Sequence, residues 1–122
     1  MTDWAITFHS DFYKEFLALS ERVQDELLAS LVPLGKLGPN LGRPHVDTLK
    51  ASKHKNMKEL RFNADDGVWR VAFAFDPRRT AILLVAGDKS GTGQERFYKQ
   101  LIKKADARLD DHLRQLKGEE ND

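Results

Sequence analysis

From Val68 to Phe75 the chain reads Val-Trp-Arg-Val-Ala-Phe-Ala-Phe, in which a bulky apolar row alternates with a row that is small except at Arg70. Successive side chains of an extended strand point to opposite faces. Trp69, Val71, Phe73 and Phe75 therefore form one row, and Val68, Arg70, Ala72 and Ala74 form the other. A helix would scatter the four large residues around its circumference, so the stretch is a strand. The bulky row needs a helical layer to cover it. The small row leaves room for something to lie across it.

Two further strands flank this one. Met57 to Phe62 precedes it, with a turn over Asn63-Ala64-Asp65-Asp66-Gly67 whose tip is expected at Asp66-Gly67. Thr80 to Ala86 follows and reads as a strand buried on both faces. The turn between them, Asp76-Pro77-Arg78-Arg79, has proline at its first central position. Three consecutive strands joined by short turns predict an antiparallel meander.

Trp4 to Phe8 reads as an additional strand. A short helix follows, capped by Ser10 or Asp11, with Phe12, Phe16, Leu17 and Leu19 on its apolar face. From about Glu21, Val23, Leu27, Leu28, Leu31 and Leu34 recur at helical spacing, with Ser20 as the cap. The two helices form a hairpin over one sheet face. Gly35 to Pro44 is rich in glycine and proline and reads as a loop. His45 to Lys55 reads as polar, irregular and basic. Val85-Ala86-Gly87-Asp88-Lys89-Ser90-Gly91 then empties the last strand into a glycine-rich turn. The last helix is expected to start at Thr92, which has capping-box spacing to Glu95. Its stripe of Phe97, Leu101, Ala105, Leu109, Leu113 and Leu116 is long. The predicted fold is α+β, in the order β-α-α-β-β-β-α, with an antiparallel sheet, an N-terminal helical hairpin and a long C-terminal helix. Residues 1–117 are expected to form one domain, and residues 118–122 a frayed acidic tail.

The 122 residues contain no cysteine, which excludes disulfides and thiolate metal sites and fits a reducing cytoplasm. The first residues lack a basic region followed by an apolar run, so no secretory signal is expected. No apolar stretch approaches the roughly 20 residues of a membrane span. Charge is segregated along the chain. Residues 43–104 carry 14 Lys/Arg against 7 Asp/Glu, whereas residues 1–42 and 105–122 each carry 3 against 6. A basic middle between acidic flanks suits an anionic partner such as phosphate.

The four histidines, His9, His45, His54 and His112, lack metal-ligand spacing, so no metal is expected. There is no phosphate loop of the Walker type, no nucleophile elbow and no pair of carboxylates on one strand face. What remains is basic. Arg61 ends one strand, Arg70 begins the next, and Lys89 lies just past the third. Which residue Arg61 faces across the two strands depends on the exact turn, and a bulge or shifted turn changes it. The bland alternative is structural, with both arginines paired to Glu59, Asp65 or Asp76. Tyr98 sits on the flank of the last helix's apolar stripe, where it either packs, stacks on a base or donates a proton. Such residues suit cleavage of an RNA strand by its own 2′-hydroxyl, which needs a base, a cation and an acid but no metal. Arginine holds phosphate in a bidentate fork, and lysines crowded by other cations act as bases.

The strand order, Lys58-Glu59-Leu60-Arg61, Trp69-Arg70-Val71, and Val85 to Gly91 followed by Arg96-Phe97-Tyr98 together resemble the RelE/ParE toxin superfamily. Within it the chain looks most like the phage-derived Gp49-like, or HigB-like, branch, over about Trp4 to Ala107. The resemblance implies a toxin of a type II toxin–antitoxin pair, acting in the cytoplasm as a ribosome-dependent mRNA endoribonuclease without a cofactor. The implied partners are the ribosome, its mRNA and a helix-turn-helix antitoxin, with no membrane. Carried over by position, Arg61, Arg70 and Lys89 would hold the scissile phosphate. Lys53 or Lys55 would be the base, and Tyr98 the acid or a stacking group. Lys50, His54, Lys58, Arg96 and Lys99 would contact RNA. Family toxins often end soon after the last strand, and here a long helix follows. The alternative within the same fold is a protein without nuclease activity, either a ParE-like gyrase poison or a module that only binds its antitoxin.

Overall fold

The alternating stretch lies at the centre of a five-stranded sheet. The computed structural model describes residues 3–121. Its elements are β1 (Ala5–Phe8), α1 (Ser10–Leu17), α2 (Glu21–Leu37), a 3₁₀ turn at Gly38–Asn40, β2 (Val46–Thr48), β3 (Lys58–Ala64), β4 (Gly67–Phe75), β5 (Thr80–Asp88) and α3 (Gln94–Asn121). The strand order is β1-β5-β4-β3-β2. The α+β class, the helical hairpin and the meander are as predicted.

Two features of the sheet differ from expectation. β2 is an additional strand inside the stretch read as irregular. It is only three residues long, and its one buried apolar residue, Val46, pairs with Leu60. Too little alternation exists there to reveal it. β1 runs parallel to β5, so the sheet is not wholly antiparallel. The helical hairpin separates β1 from the meander, whose last strand returns alongside it.

The β3–β4 turn is shifted by one residue from the expected tip. Asp65 and Asp66 both have positive φ, 52° and 61°. They form the two-residue, left-handed connection whose twist matches that of paired strands. Asp65 also accepts a hydrogen bond from Ser20 Oγ at 2.7 Å. The shift sets the whole register, so that Phe62 faces Trp69 and Arg61 faces Arg70. A second irregularity falls between β4 and β5. Phe73 pairs with Leu83 and Ala72 with Val85, which leaves Leu84 as an extra residue. This bulge allows both Leu84 and Val85 to join the core beneath α3.

The two sheet faces are covered differently. Leu60, Phe62, Val71, Phe73 and Leu83 pack with Phe12 and Phe16 of α1 and Val23, Leu27 and Leu34 of α2. The small row, Ala72 and Ala74, lies under α3 with Ile82, Leu84, Phe97, Leu101, Ala105 and Leu109. What lies across the small row is thus the chain's own last helix.

Helix ends depart from expectation in physical detail. His9 Nδ1, rather than Ser10 or Asp11, caps α1 by accepting from Asp11 N at 3.1 Å. Ser20 caps α2 as expected, accepting from Val23 N at 3.3 Å. α2 runs past Pro33 and Gly35 to Leu37. Gly35 stays helical because it is buried beside β1, with its carbonyl accepting from Trp4 N at 2.8 Å. α3 begins at Gln94 instead of Thr92 and continues through Asn121, so the frayed tail expected from residue 118 is helix. Arg78 supports that end, donating to Glu119 at 2.7 Å and to the Leu116 carbonyl at 3.4 Å. Asp122 lies outside the described residues. Among those residues no helix is long and apolar enough to cross a membrane.

Candidate functional site

Where β2, β3 and β4 run under the first turns of α3, the small-row face turns polar. Strand alternation brings Glu59 and Arg61 of β3 and Arg70 of β4 to this side. Directly opposed pairs are of like charge: Asp47 faces Glu59, and Arg61 faces Arg70. Like charges in that position repel, and the side chains answer by crossing over. Arg61 Nη2 donates to Glu59 Oε2 at 3.1 Å and to Asp47 Oδ2 at 3.4 Å. Arg70 Nε lies 3.4 Å from Glu59 Oε1. Tyr98, from α3, donates its hydroxyl proton to Glu59 Oε1 at 2.7 Å and accepts from Arg70 Nε at 3.3 Å.

Glu59 is the hub, with a side chain only 4% exposed. A carboxylate so buried persists because two guanidinium groups and a phenol satisfy it. Arg70 is nearly buried as well, at 11%, and Arg61 is a third exposed. Burial alone would lower the Arg61 pKa, but the hydrogen bond and charge of Glu59, with Asp47, raise it above its ordinary value. Burial raises the Tyr98 phenol, as does its bond to Glu59, against an opposing pull from Arg70. The phenol is therefore a neutral donor across the physiological range. Arg61 Nε is buried and meets no partner among the described residues.

Lys89 joins this cluster from above. Its amine stands 5.8 Å from the centre of the Tyr98 ring. Asp88 fixes the turn that carries it, accepting from Val68 N at 2.9 Å, Ser90 N at 2.9 Å and Ser90 Oγ at 2.6 Å. Burial opposes ionisation of Asp88, yet the bonds from Ser90 and Val68 hold its carboxyl below the ordinary value. Gly87 permits α3 to come down at this point, since a Cβ there would lie 2.9 Å from the Phe97 ring. A shallow groove of about 550 Å³ opens beside Tyr98, lined by Ala51, Glu95, Lys99, Ile102, Lys103 and Asp106.

The structure thus gathers Arg61, Arg70, Lys89 and Tyr98, and places Lys99 and the neighbourhood of Lys50 on the adjoining groove. It does not bring in Lys53, Lys55 or His54. Lys53 Nζ and His54 Nε2 both bind Asp110, the histidine at 2.9 Å. Asp110 is twelve residues beyond Tyr98 on α3, about 18 Å along the helix axis. Lys55 is exposed and lines a different groove, with Asp76 and Pro77. Strand alternation puts Lys58 on the face of Leu60 and Phe62, away from the arginines. Arg96 is exposed on the first turn of α3. Of the partners offered for the arginines, Glu59 takes both. Asp65 is bound to Ser20 and Asp76 to His112.

Glu59 and Asp47 complete the site, and one was visible in advance. Glu59 precedes Arg61 by two residues and so shares its strand face. Asp47 had no such signal, because β2 was hidden.

The description "Phage derived protein Gp49-like (DUF891)" covers a family whose pattern matches residues 14–110. The chain belongs to the Gp49-like family. Two proteins of Mycobacterium tuberculosis, carrying the candidate-toxin names HigB2 and HigB3, are 42% and 43% identical to it over 99 and 98 residues. Each alignment covers 80% of this chain. The chain spans about half the length of HigB2 (49%) and 83% of HigB3. The free E. coli toxin RelE, in a form with two arginines replaced by alanine, superimposes with a TM-score of 0.59. That match covers 84% of this chain and 96% of RelE at 13% identity, and shows a common fold. The Gp49-like, HigB-like resemblance drawn from the motifs is therefore correct, and the fold is that of RelE.

Proposed function

We propose that this Gp49-like protein is the toxin of a type II toxin–antitoxin pair and cuts mRNA on the ribosome through the Glu59–Arg61–Arg70–Tyr98 cluster. The observation that carries the assignment is the convergence of two facing arginines, a lysine and a protonated phenol from two strands, a turn and a helix. Among the described residues, Arg61 Nη1 and Arg70 Nη2 meet no protein acceptor. These two prongs are the ones offered to a phosphate's non-bridging oxygens. In the reaction the 2′-oxygen gives up its proton to solvent water and attacks phosphorus, the bond to the 5′-oxygen breaks, and a 2′,3′-cyclic phosphate forms. The guanidinium groups offset the charge that gathers on phosphorus. Tyr98 gives its proton to the departing 5′-oxygen. Lys89 adds a further cation beside it.

The lysines assigned earlier to the base position, Lys53 and Lys55, stand apart from this cluster and are assigned instead to the RNA-facing surface. With Lys50, Lys99 and Arg96 they extend the positive field toward ribosomal RNA, and such contacts weaken steeply with salt. A helix-turn-helix antitoxin is the proposed neutralising partner, and the cytoplasm the proposed compartment.

One observation favours a second reading. Glu59 already closes on both arginines, as it would in a purely structural network of a gyrase poison or an antitoxin-binding module. Primer extension on actively translating ribosomes separates the two. Cuts within A-site codons made by the wild type and lost in Arg61→Ala support the nuclease. No cuts from folded wild-type protein support the second reading.

A further inference from the structure

β5 has a neighbour on both sides for only half its length. Its pairing with β1 ends at Phe8 and Leu83, where His9 N donates to the Leu83 carbonyl at 2.8 Å and the chain turns into α1. From Leu84 to Asp88, β5 has β4 on one side and, among the described residues, no strand on the other. Lys89 N donates to the Val68 carbonyl, which fixes the alternation: the backbone groups of Ala86 and Asp88 point away from β4. The Leu84 carbonyl is already covered, by Arg108 Nη1 at 2.8 Å. A bare edge of this kind is a template for another strand.

Beside that edge runs a groove of about 490 Å³ between β5 and α3. Its apolar floor is made by Val85, Phe97 and Leu101 and its rim by Lys103 and Lys104, and no carboxylate among the described residues lines it. Arg108 at its end is held in a bidentate pair with Glu15, at 2.8 and 2.6 Å. A second copy of this chain, pairing edge to edge, would bring these lysines against their equivalents, and like charges across a strand pair repel.

We propose that the Leu84–Asp88 edge of β5 docks an extended acidic segment of a partner protein, which joins the sheet as a sixth strand. Its backbone bonds to Ala86 and Asp88. Alternate apolar side chains enter the groove over Phe97 and Leu101, and its carboxylates meet Lys103 and Lys104. Strand addition of this sort draws affinity from the backbone and specificity from alternate side chains. The inference rests on this surface alone and stands whether or not the protein cleaves RNA.

The test is a titration of the ¹⁵N-labelled full chain with an acetylated octapeptide of alternating valine and glutamate, beside one of alternating valine and lysine. The acidic peptide is expected to shift the amide signals of Val85, Ala86, Asp88, Gln100 and Lys104 and to slow exchange of the Ala86 amide. The doubly substituted K103E/K104E protein, altered only at exposed positions, should bind it roughly tenfold more weakly. Ala86→Pro, which removes the outward-facing donor, should abolish the shifts of Val85, Asp88 and Lys104 on adding the acidic peptide. Equal binding of the basic peptide, shifts confined to other parts of the molecule, or no shifts at all would overturn the proposal. So would concentration-dependent shifts of the same amides without peptide, which would assign the edge to a second copy.

Discussion

The part of the sheet that α1 and α2 cover is an apolar core, built from Phe73, Val71, Leu60 and Leu83 against the two helices. The face under α3 changes character along its length. It is apolar at Ala72, Ala74, Ile82 and Leu84 and polar at Glu59, Arg61 and Arg70. The first face resembles an ordinary core, held by burial. The second combines a smaller core with a desolvated charge network, an arrangement that contributes little net stability and fixes side-chain geometry. The difference teaches that α3 has two tasks. Its apolar stripe seals the sheet, and its first turns deliver Tyr98 to the arginines. Its remaining length is tied down by polar pairs, Lys53 and His54 to Asp110, His112 to Asp76, and Arg78 to Glu119.

If the hairpin face carries the stability, Phe73→Ala should produce the largest loss, about 4 kcal/mol, since Phe73 is wholly buried. Equilibrium denaturation measures it, and a loss below about 1 kcal/mol would remove the contrast between the faces. Glu59→Gln comes next, because it leaves two guanidinium groups without their buried counter-charge. The expected cost is about 3 kcal/mol. In the same variant the Tyr98 phenol, no longer bonded to a carboxylate, should titrate at lower pH by ultraviolet absorbance. An unchanged titration would mean that Glu59 does not hold it.

Acid sharpens the comparison further. The Arg108 hydrogen bond holds the Glu15 carboxyl below its ordinary value, and the Lys53 bond does the same for Asp110. A carboxyl whose pKa is lower in the folded state stabilises the fold above its unfolded value. That contribution is lost as pH falls from the ordinary carboxylate range, roughly 4, through the folded value. Both groups fasten α3. Amide exchange of residues 105–116 should therefore accelerate between neutral pH and pH about 3, relative to the intrinsic rate, before that of β4. Simultaneous loosening of both regions would show that the helix is not separately held. The smallest effect is expected for Lys53→Ala. Its ion pair is mostly exposed, so the stability change should stay below about 1 kcal/mol.

Much of this fold was legible because a bulky apolar row alternates along β4 and apolar residues recur regularly in α2 and α3. Its errors arose where one residue decides. Asp66-Gly67 is a strong turn signal, but the chain uses Asp65-Asp66, and that single step brings Arg61 opposite Arg70. β2 was hidden because three residues cannot display a period. Arg61, Arg70, Lys89 and Tyr98 were legible as a set of residue types. Their convergence was not, since it depends on that turn, on the bulge at Leu84 and on Gly87 admitting Phe97. Lys53 and Lys55 entered through the family resemblance, as the lysines on the approach to β3, whereas Asp110 of α3 holds Lys53 elsewhere.

The most direct test of the central claim is single-turnover mRNA cleavage on programmed ribosomes, comparing Arg61→Ala and Arg70→Ala with Lys53→Ala and Lys55→Ala. If the cluster holds the scissile phosphate, each arginine variant should lose about a hundredfold or more in rate while each lysine variant stays within roughly threefold of wild type. Full activity in folded arginine variants, with activity lost in the lysine variants, would contradict the account and move the site to the loop before β3.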